Sequence, residues 1–244
     1  MRTLFLLFFI FLPELVFANG LLDSDMDGVP DRDEIEVYET NPNSGDTDGD
    51  GYSDWLELNT GYSPLEARPV KLAESDFDQD GLVDSLELKF KTKIKNKDSD
   101  GDGYDDGQEV YGGFDPLQNS GAKLQKRIDI SLYSQKLFYF LGGVMMYDYP
   151  VSSGLFDTTP RGKFSIQNKH PKAWSSYGLW MPYWMAITPD GRYGIHELPI
   201  WPSGYREGED HLGAPASHGC VRVGTEAAEK IYNLTEVGTE VNIY

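Results

Sequence analysis

The chain has 244 residues, a formal net charge of −19 and a single cysteine. This length allows one large domain or two small ones. The excess of acid disfavours binding to nucleic acid or to an anionic membrane and favours binding of hard cations. One cysteine cannot form a disulfide within the chain, so disulfide bonds do not hold this fold together.

The first 18 residues have the pattern of a secretory signal peptide. Arg2 gives a positive start, residues 4–12 are apolar, and Ala18 is a small residue suited to cleavage. The apolar run is short for a bilayer, and an uncleaved N-terminal anchor is the alternative. We therefore expect an exported protein, in the periplasm, at the cell wall or outside the cell, that does not span the membrane after cleavage.

The charge is unevenly distributed over the rest of the sequence. Residues 19–120 contain 27 acidic and 8 basic residues, whereas residues 121–244 contain 12 of each. This asymmetry predicts two regions with different functions, an acidic repeat region over 19–120 and a neutral domain over 121–244.

Four segments of the acidic region share one spacing of carboxylates. Each has Asp at positions 1, 3, 5 and 9, Gly at position 6 and Glu at position 12. In a calcium loop alternate acids converge on one ion, the glycine permits the sharp turn, and the last glutamate can supply two oxygens. The predicted calcium ligands are Asp23, Asp25, Asp27, Asp31 and Glu34 in loop 1; Asp46, Asp48, Asp50, Asp54 and Glu57 in loop 2; Asp76, Asp78, Asp80, Asp84 and Glu87 in loop 3; and Asp98, Asp100, Asp102, Asp106 and Glu109 in loop 4.

The intervals between these loops leave room for only a short helix and a turn. The region from about residue 20 to about residue 118 resembles bacterial thrombospondin type 3 repeats, in which aspartate-rich loops wrap calcium with little apolar core. The resemblance implies structural Ca²⁺ that supplies much of the folding free energy. Neighbouring loops can share ligands, so the number of ions stays open. We expect removal of calcium to unfold this region and to leave the neutral domain folded.

The neutral region has short apolar and aromatic runs separated by turns, which predicts a mainly β domain. The predicted strands are 127–133, 136–141, 144–151, 164–167, 185–188 and 241–244. A helix is predicted over 225–234, with the Thr225 hydroxyl as its N-terminal cap.

The single cysteine lies in the segment 217–222, which reads SHGCVR, and His196 lies upstream. A thiol becomes a nucleophile when a neighbouring imidazole takes its proton or stabilises the thiolate. Gly219 lets the backbone approach a substrate carbonyl, so the amides of Gly219 and Cys220 are candidates for holding an oxyanion. These residues favour acyl transfer through a thioester.

The same residues resemble the catalytic domain of L,D-transpeptidases of the YkuD type. That family has a histidine, a spacer, then Ser/Thr-His-Gly-Cys, an apolar residue and Arg or Asn, and His196 and segment 217–222 fit this order. The resemblance covers about residues 126–244. Further segments that fit are 149–154, 159–164, 181–184 and 213–216.

The resemblance implies a β-sandwich domain that acts on peptidoglycan stem peptides. Cys220 would attack the carbonyl between the third residue and the D-alanine of a stem tetrapeptide, with His196 as base. Ser217 and His218 would shape the pocket and position the base, and Arg222 would support the loop or bind a substrate carboxylate. The thioester would pass to an amine on a second stem, to a lysine of a wall-attached protein, to another amino acid, or to water. No cofactor is implied for catalysis.

Two features depart from the family pattern. The spacer 197–216 is longer than usual, and Glu197 stands where a small residue is common. The long spacer is interpreted either as a lid that selects the acceptor or as an insertion without catalytic role.

Alternatives stay open at this point. His196, His211, His218 and Cys220 are the donor types of a zinc site, and Cys220 as a buried structural thiol is a further alternative. A hydrolase would use the same residues with water as acceptor. A protein of another class would bind the wall in a calcium-dependent way without turning its peptide over.

Overall fold

A computed structural model describes residues 22–244, so the predicted signal peptide lies outside the described residues. The chain divides into two compact units, with the boundary after Lys71. The first unit contains loops 1 and 2. The second contains loops 3 and 4 together with the neutral region, so the predicted boundary at residue 120 separates acidic loops from β-sheet within one compact unit.

Each calcium-type loop runs into a short helix that begins at loop position 9. The helices are α1 (Asp31–Asp33, continued by a π-helical turn over Glu34–Tyr38), α2 (Asp54–Thr60), α3 (Asp84–Phe90) and α4 (Asp106–Gly112). The glutamate at position 12 therefore lies in the first turns after the loop, and it is buried in all four repeats. Because the helix begins at position 9, three residues before the glutamate, its first turn directs the glutamate side chain back towards the loop.

The loops associate in two pairs through one repeated hydrogen bond. In the first unit the backbone N–H of Trp55 donates to Asp27 Oδ2 at 3.1 Å. In the second unit the N–H of Gly107 donates to Asp80 Oδ2 at 2.7 Å. Both donors stand at loop position 10 and both acceptors at position 5, so the two pairs are built alike.

The neutral region forms a single sheet of nine strands, in the order β4-β9-β1-β2-β3-β8-β7-β6-β5. The strands are β1 (Lys126–Ser131), β2 (Lys136–Leu141), β3 (Val144–Ser152), β4 (Gly162–Ser165), β5 (Asn168–Trp174), β6 (Trp180–Ala186), β7 (Gly194–Glu197), β8 (Val221–Val223) and β9 (Glu240–Ile243). β1 with β9 and β7 with β8 pair in parallel, and the other neighbours are antiparallel.

Strand β3 joins the two halves of this sheet. Most of its length pairs with β2, while its last residues, Val151 and Ser152, pair with β8. Helix α5 (Thr225–Leu234) buries Ala227, Ala228 and Ile231 in the same hydrophobic cluster as the strands. The mainly β fold class predicted from the sequence is confirmed.

Loops 3 and 4 contribute to this core. Leu82, Phe90 and Val110 belong to one hydrophobic cluster with sheet residues such as Ile128 and Leu137. Helix α3 packs on β3. The second loop pair and the sheet therefore fold around shared apolar side chains.

The sequence predicted the first three strands well and several others poorly. β1, β2 and β3 and their turns are found, and Gly142 and Gly143 both have positive φ, as a tight hairpin turn requires. β5, β7 and β8 were missed, and the predicted strand over 185–188 is only the end of β6. The predicted cap is wrong: Gly224 is the cap residue of α5, and the Thr225 hydroxyl donates to Glu197 Oε1 at 3.1 Å.

Among residues 22–244, none of the helices has the length and apolarity that crossing a membrane requires.

Candidate active site and calcium loops

A cleft of about 500 Å³ opens beside the ends of β7 and β8. His196 on β7 and Cys220, directly before β8, both line it. Because β7 and β8 are neighbouring parallel strands, the two residues reach one cleft although 23 positions separate them in sequence. Further lining residues are Trp174, Tyr177, Trp184, Tyr193, His218 and Arg222.

The thiol of Cys220 is partly buried. Its Sγ lies 3.8 Å from the carbonyl oxygen of Arg192. Burial raises the pKa of the Cys220 thiol, and a hydrogen bond from the Gly194 backbone and the charge of Arg222 offset this only in part. A protonated thiol needs a base in order to react.

His196 has the properties of that base. Its Nδ1 lies 2.5 Å from the carbonyl oxygen of Glu197. A carbonyl can only accept, so we assign the proton to Nδ1, which leaves Nε2 as a proton acceptor. Burial, and secondarily the charge of Arg222, lower the pKa of His196 to about 3. The imidazole is therefore neutral near pH 7.

Ser217 and Gly219 hold the turn that presents the cysteine. The Ser217 hydroxyl donates to the carbonyl of Cys220 at 2.6 Å and accepts from the Gly219 N–H at 3.0 Å. The Thr159 hydroxyl donates to the Gly219 carbonyl at 3.0 Å. Gly219 has φ +132°, and a Cβ there would meet Tyr193 Cε1 at 2.5 Å, so only glycine fits. The Gly219 amide thus bonds within the turn, which is not the oxyanion contact that the sequence suggested for it.

His218 lies exposed at the mouth of the cleft. Its ring stacks on Tyr177, with ring centroids 4.3 Å apart and planes inclined by 15°. This contact covers one face of His218 and makes the ring part of the cleft wall.

Arg222 lies next to His196 and pairs with it in register between β8 and β7. Its side chain is buried, and its Nη1 lies 2.6 Å from Glu207 Oε2. Its Nε is buried and has no hydrogen-bond partner within residues 22–244. Arg222 therefore supports the long loop through its contact with Glu207.

Sequence reasoning did not identify Tyr177, Trp184, Arg192 or Glu207 as parts of this site. Each lies in a loop or strand whose approach to Cys220 depends on the long-range order of the sheet. A charged residue inside an unusually long spacer was the only signal for Glu207.

The calcium-type loops bring their first three predicted ligands together. In each loop, carboxylate oxygens of the Asp residues at positions 1, 3 and 5 lie within 4.8 Å of one another. Within the described part of the chain these four triplets are the groups that could hold a metal ion, and the histidine and cysteine set considered for zinc is not among them.

Buried oxygens without hydrogen-bond partners support a cation at each loop. The same two positions are affected in every repeat of the described chain, Oδ2 at position 3 and Oε2 at position 12. These residues are Asp25 and Glu34, Asp48 and Glu57, Asp78 and Glu87, and Asp100 and Glu109. A buried carboxylate oxygen without a donor is costly unless a cation binds it, so the residues present fit Ca²⁺.

The burial and crowding of these carboxyl groups raise the pKa of the glutamate at position 12 in every loop. Burial, and then the charges of nearby aspartates, raise the pKa of Glu57 to about 8 and of Glu87 to about 9. The same causes raise the pKa of Glu34 and of Glu109 to about 7. A divalent cation would compensate this crowding of negative charge.

The aspartates at position 9 have a different environment from the other predicted ligands. The residue at position 2 donates through its backbone and its hydroxyl to both oxygens of Asp31, Asp54 and Asp106, at 2.6–2.9 Å. Asp84 accepts from the Phe77 N–H at 2.9 Å. Position 9 thus braces the loop, and its role as a calcium ligand stays a prediction.

Comparison with known proteins agrees with both halves of this description. Residues 125–243 match the family model of the L,D-transpeptidase catalytic domain, YkuD. Residues 46–61 and 98–119 match the bacterial TSP3 repeat. Both resemblances inferred from the sequence are confirmed, in the predicted order.

The relatives of the L,D-transpeptidase domain are distant. A Bacillus licheniformis protein named as the L,D-transpeptidase YkuD is 27% identical over 164 residues, which cover 66% of this chain and 92% of that protein. YciB of Bacillus subtilis, also named as an L,D-transpeptidase, is 28% identical over 124 residues, covering 48% of this chain and 64% of that protein. A solved L,D-transpeptidase from Mycobacterium smegmatis is 19% identical with a TM-score of 0.43, covering 51% of this chain and 60% of that one. The chain thus spans less than two thirds of YciB and of the mycobacterial chain.

Proposed function

We propose that the protein is an exported, cysteine-dependent peptidoglycan L,D-transpeptidase that carries structural calcium in its repeats. The observation that carries this proposal is that one cleft contains both the sole cysteine and a buried histidine whose Nδ1 is bonded to a backbone carbonyl. The match of residues 125–243 to the L,D-transpeptidase domain supplies the substrate class.

The first half-reaction forms a thioester. The Cys220 sulfur attacks the carbonyl carbon between the third residue and the D-alanine of a stem tetrapeptide, and the thiol proton passes to His196 Nε2. The amide of Cys220 is the donor that we assign to the developing oxyanion, because the Gly219 amide is bonded to Ser217. Collapse breaks the C–N bond, His196 returns the proton to the leaving nitrogen, and D-alanine departs.

The second half-reaction transfers the acyl group. An amine of a second stem, or of a wall-attached protein, attacks the thioester carbon and gives a proton to His196. The carbon–sulfur bond breaks, and the proton restores the Cys220 thiol. His218 and Tyr177 form one wall of the cleft, and Arg222 also lines it.

The calcium loops have a structural role in this proposal. When bound, Ca²⁺ supplies positive charge that compensates the negative charges of the carboxylates at positions 1, 3, 5 and 12. The residues that would hold it are those of the four Asp triplets, each with its position-12 glutamate.

Incubation with purified tetrapeptide muropeptides, in the presence of calcium, tests the activity by mass spectrometry. We expect a product equal to two stems joined with loss of D-alanine, and none from the Cys220→Ala variant. Tripeptide with free D-alanine as the only products would establish a hydrolase that uses the same residues. If the substrate is unchanged and the protein still binds wall fragments, the result would contradict the enzyme and favour the non-catalytic binding protein.

A further inference from the structure

The long connection between β7 and β8 is fastened by two neighbouring residues, Arg206 and Glu207, which we call the loop clamp. Arg206 Nη1 contacts Glu197 Oε1 and also donates to the Thr225 hydroxyl at 2.9 Å. Glu207 Oε2 lies 2.6 Å from Arg222 Nη1. The positive loop residue thus pairs with a negative residue on β7, and the negative loop residue pairs with a positive residue on β8.

The two partners of the clamp flank the catalytic base. Glu197 directly follows His196 on β7, and its backbone carbonyl binds His196 Nδ1. Arg222 lies opposite His196 on β8. Glu197 is 2% exposed and Arg222 is 6% exposed, so each charge depends on its partner rather than on water.

We propose that Arg206 and Glu207 are positioning residues for His196 and Cys220, acting through Glu197 and Arg222. The inference rests on the proposed function for its substrate and extends it by giving the long spacer a role. The spacer is then a fixed support rather than a movable lid or an insertion without role.

Arg206 acts through the backbone. Without it, the carboxylate of Glu197 would be buried beside the Thr225 hydroxyl alone, which favours its movement to water. Such movement displaces the Glu197 carbonyl that selects the His196 tautomer. A base with the wrong tautomer cannot accept the thiol proton.

Glu207 acts through charge. Arg222 stabilises the Cys220 thiolate and disfavours a proton on His196. Glu207 balances the charge of Arg222, so its loss lets that charge act in full on both groups. His211 Nδ1 lies 3.6 Å from the same Glu207 carboxylate. The other titratable or charged side chains lining the cleft are Tyr177, Arg192, Tyr193 and His218.

Alkylation of the single cysteine by iodoacetamide, followed by intact mass across pH, reads the thiol directly. In Glu207→Gln we expect the alkylation midpoint to fall by about one pH unit and kcat to fall by about 10-fold or more, with KM within about twofold. Glu207→Asp, which keeps the charge, should restore the midpoint. Because this readout needs no muropeptide, a failure of the proposed transpeptidase activity is distinguishable from a failure of the clamp.

Arg206→Gln should lower kcat by about 10- to 100-fold, and adding Glu197→Gln should recover part of the loss. Arg68→Gln is the matched control, because it removes an exposed arginine from an arginine–glutamate pair in the first unit. The proposal is overturned if folded Glu207→Gln keeps the wild-type midpoint, or if Arg206→Gln behaves like Arg68→Gln. It is also overturned if both variants change KM alone. If Glu207→Gln does not fold, the Arg206 variants decide by the same criteria.

Discussion

The first and second pairs of calcium loops have the same ligand pattern and the same hydrogen bond between partner loops, but they differ in how many apolar side chains they bury. Within residues 22–71, the buried apolar side chains are Val29 and Pro64, and Ile35, Val37, Trp55 and Leu56 are exposed. In the second pair, Leu82, Phe90, Ile94 and Val110 are buried. Three of these belong to the core of the sheet.

This difference separates two sources of stability in one repeat design. Where apolar burial is slight, metal binding must supply the folding free energy. Where the loops cover a sheet, burial of apolar side chains supplies much of it. The same acidic motif can therefore act as the fold of one unit and as a stabilising part of another.

Removal of calcium gives the largest expected contrast. We expect EDTA to unfold residues 22–71, and to lower the melting temperature of the second unit while leaving its sheet folded at room temperature. Each ion at 100-fold excess over its Kd contributes about 3 kcal/mol. Hydrogen exchange read by mass spectrometry, peptide by peptide, measures both responses. Equal protection of α2 and β2 in EDTA would contradict the comparison.

The sequence alone led us to expect that removal of calcium unfolds the whole acidic region and leaves the neutral domain folded. The structure changes the first part of this expectation, because loops 3 and 4 share a compact unit with the sheet. The shared cluster of Leu82 and Val110 with the strands is the physical reason.

Truncation of one leucine in each pair gives the next largest contrast. Leu82 is fully buried and Leu56 is 39% exposed. Leu82→Ala should lower the free energy of unfolding of the second unit by about 2–5 kcal/mol. Leu56→Ala should change stability by about 0.5 kcal/mol or less. Denaturant unfolding in saturating calcium measures both changes in the free energy of unfolding. Similar changes would show that the two loop pairs do not differ in apolar burial.

Neutralising the position-12 glutamate sharpens the comparison with a smaller effect whose sign depends on calcium. Glu87 is fully buried with Oε2 unpartnered, close to Asp78 and Asp80. Glu87→Gln should stabilise the sheet by roughly 1–3 kcal/mol in EDTA near pH 7, because the wild-type carboxyl, with its pKa raised to about 9, must take up a proton on folding and Gln need not. In calcium the same change should destabilise the sheet, because it removes a charged ligand. Glu57→Gln, at the same position of loop 2, should leave the melting temperature of the sheet unchanged. Thermal unfolding followed by circular dichroism at a wavelength that reports β-sheet measures this. If Glu87→Gln shifted the melting temperature in the same direction in EDTA and in calcium, the result would count against Glu87 as a metal ligand.

The sequence predicted those features that depend on neighbouring residues. The carboxylate spacing of the loops, the hairpins from β1 to β3 and helix α5 follow from local patterns. β5 was missed because it contains Pro171 and charged residues at an edge of the sheet, and β8 because three residues are too few to show a period.

The candidate site divides in the same way. The motif at 217–222 and His196 were read from the sequence, and the cleft contains both. The pairing of Glu207 with Arg222, and of Arg206 with Glu197, joins residues that only the sheet brings together. No local pattern distinguishes such charges from a solvated surface.

The parallel pairing of β7 and β8 has a consequence for how this protein can change in evolution. Parallel neighbours need a connection that leaves the sheet and returns, and the length of that connection is set by neither strand. Insertions between the strands can therefore accumulate while His196 and Cys220 keep their places. We expect sequence differences among relatives to concentrate in this crossover, with His196 and Cys220 unchanged on either side of it.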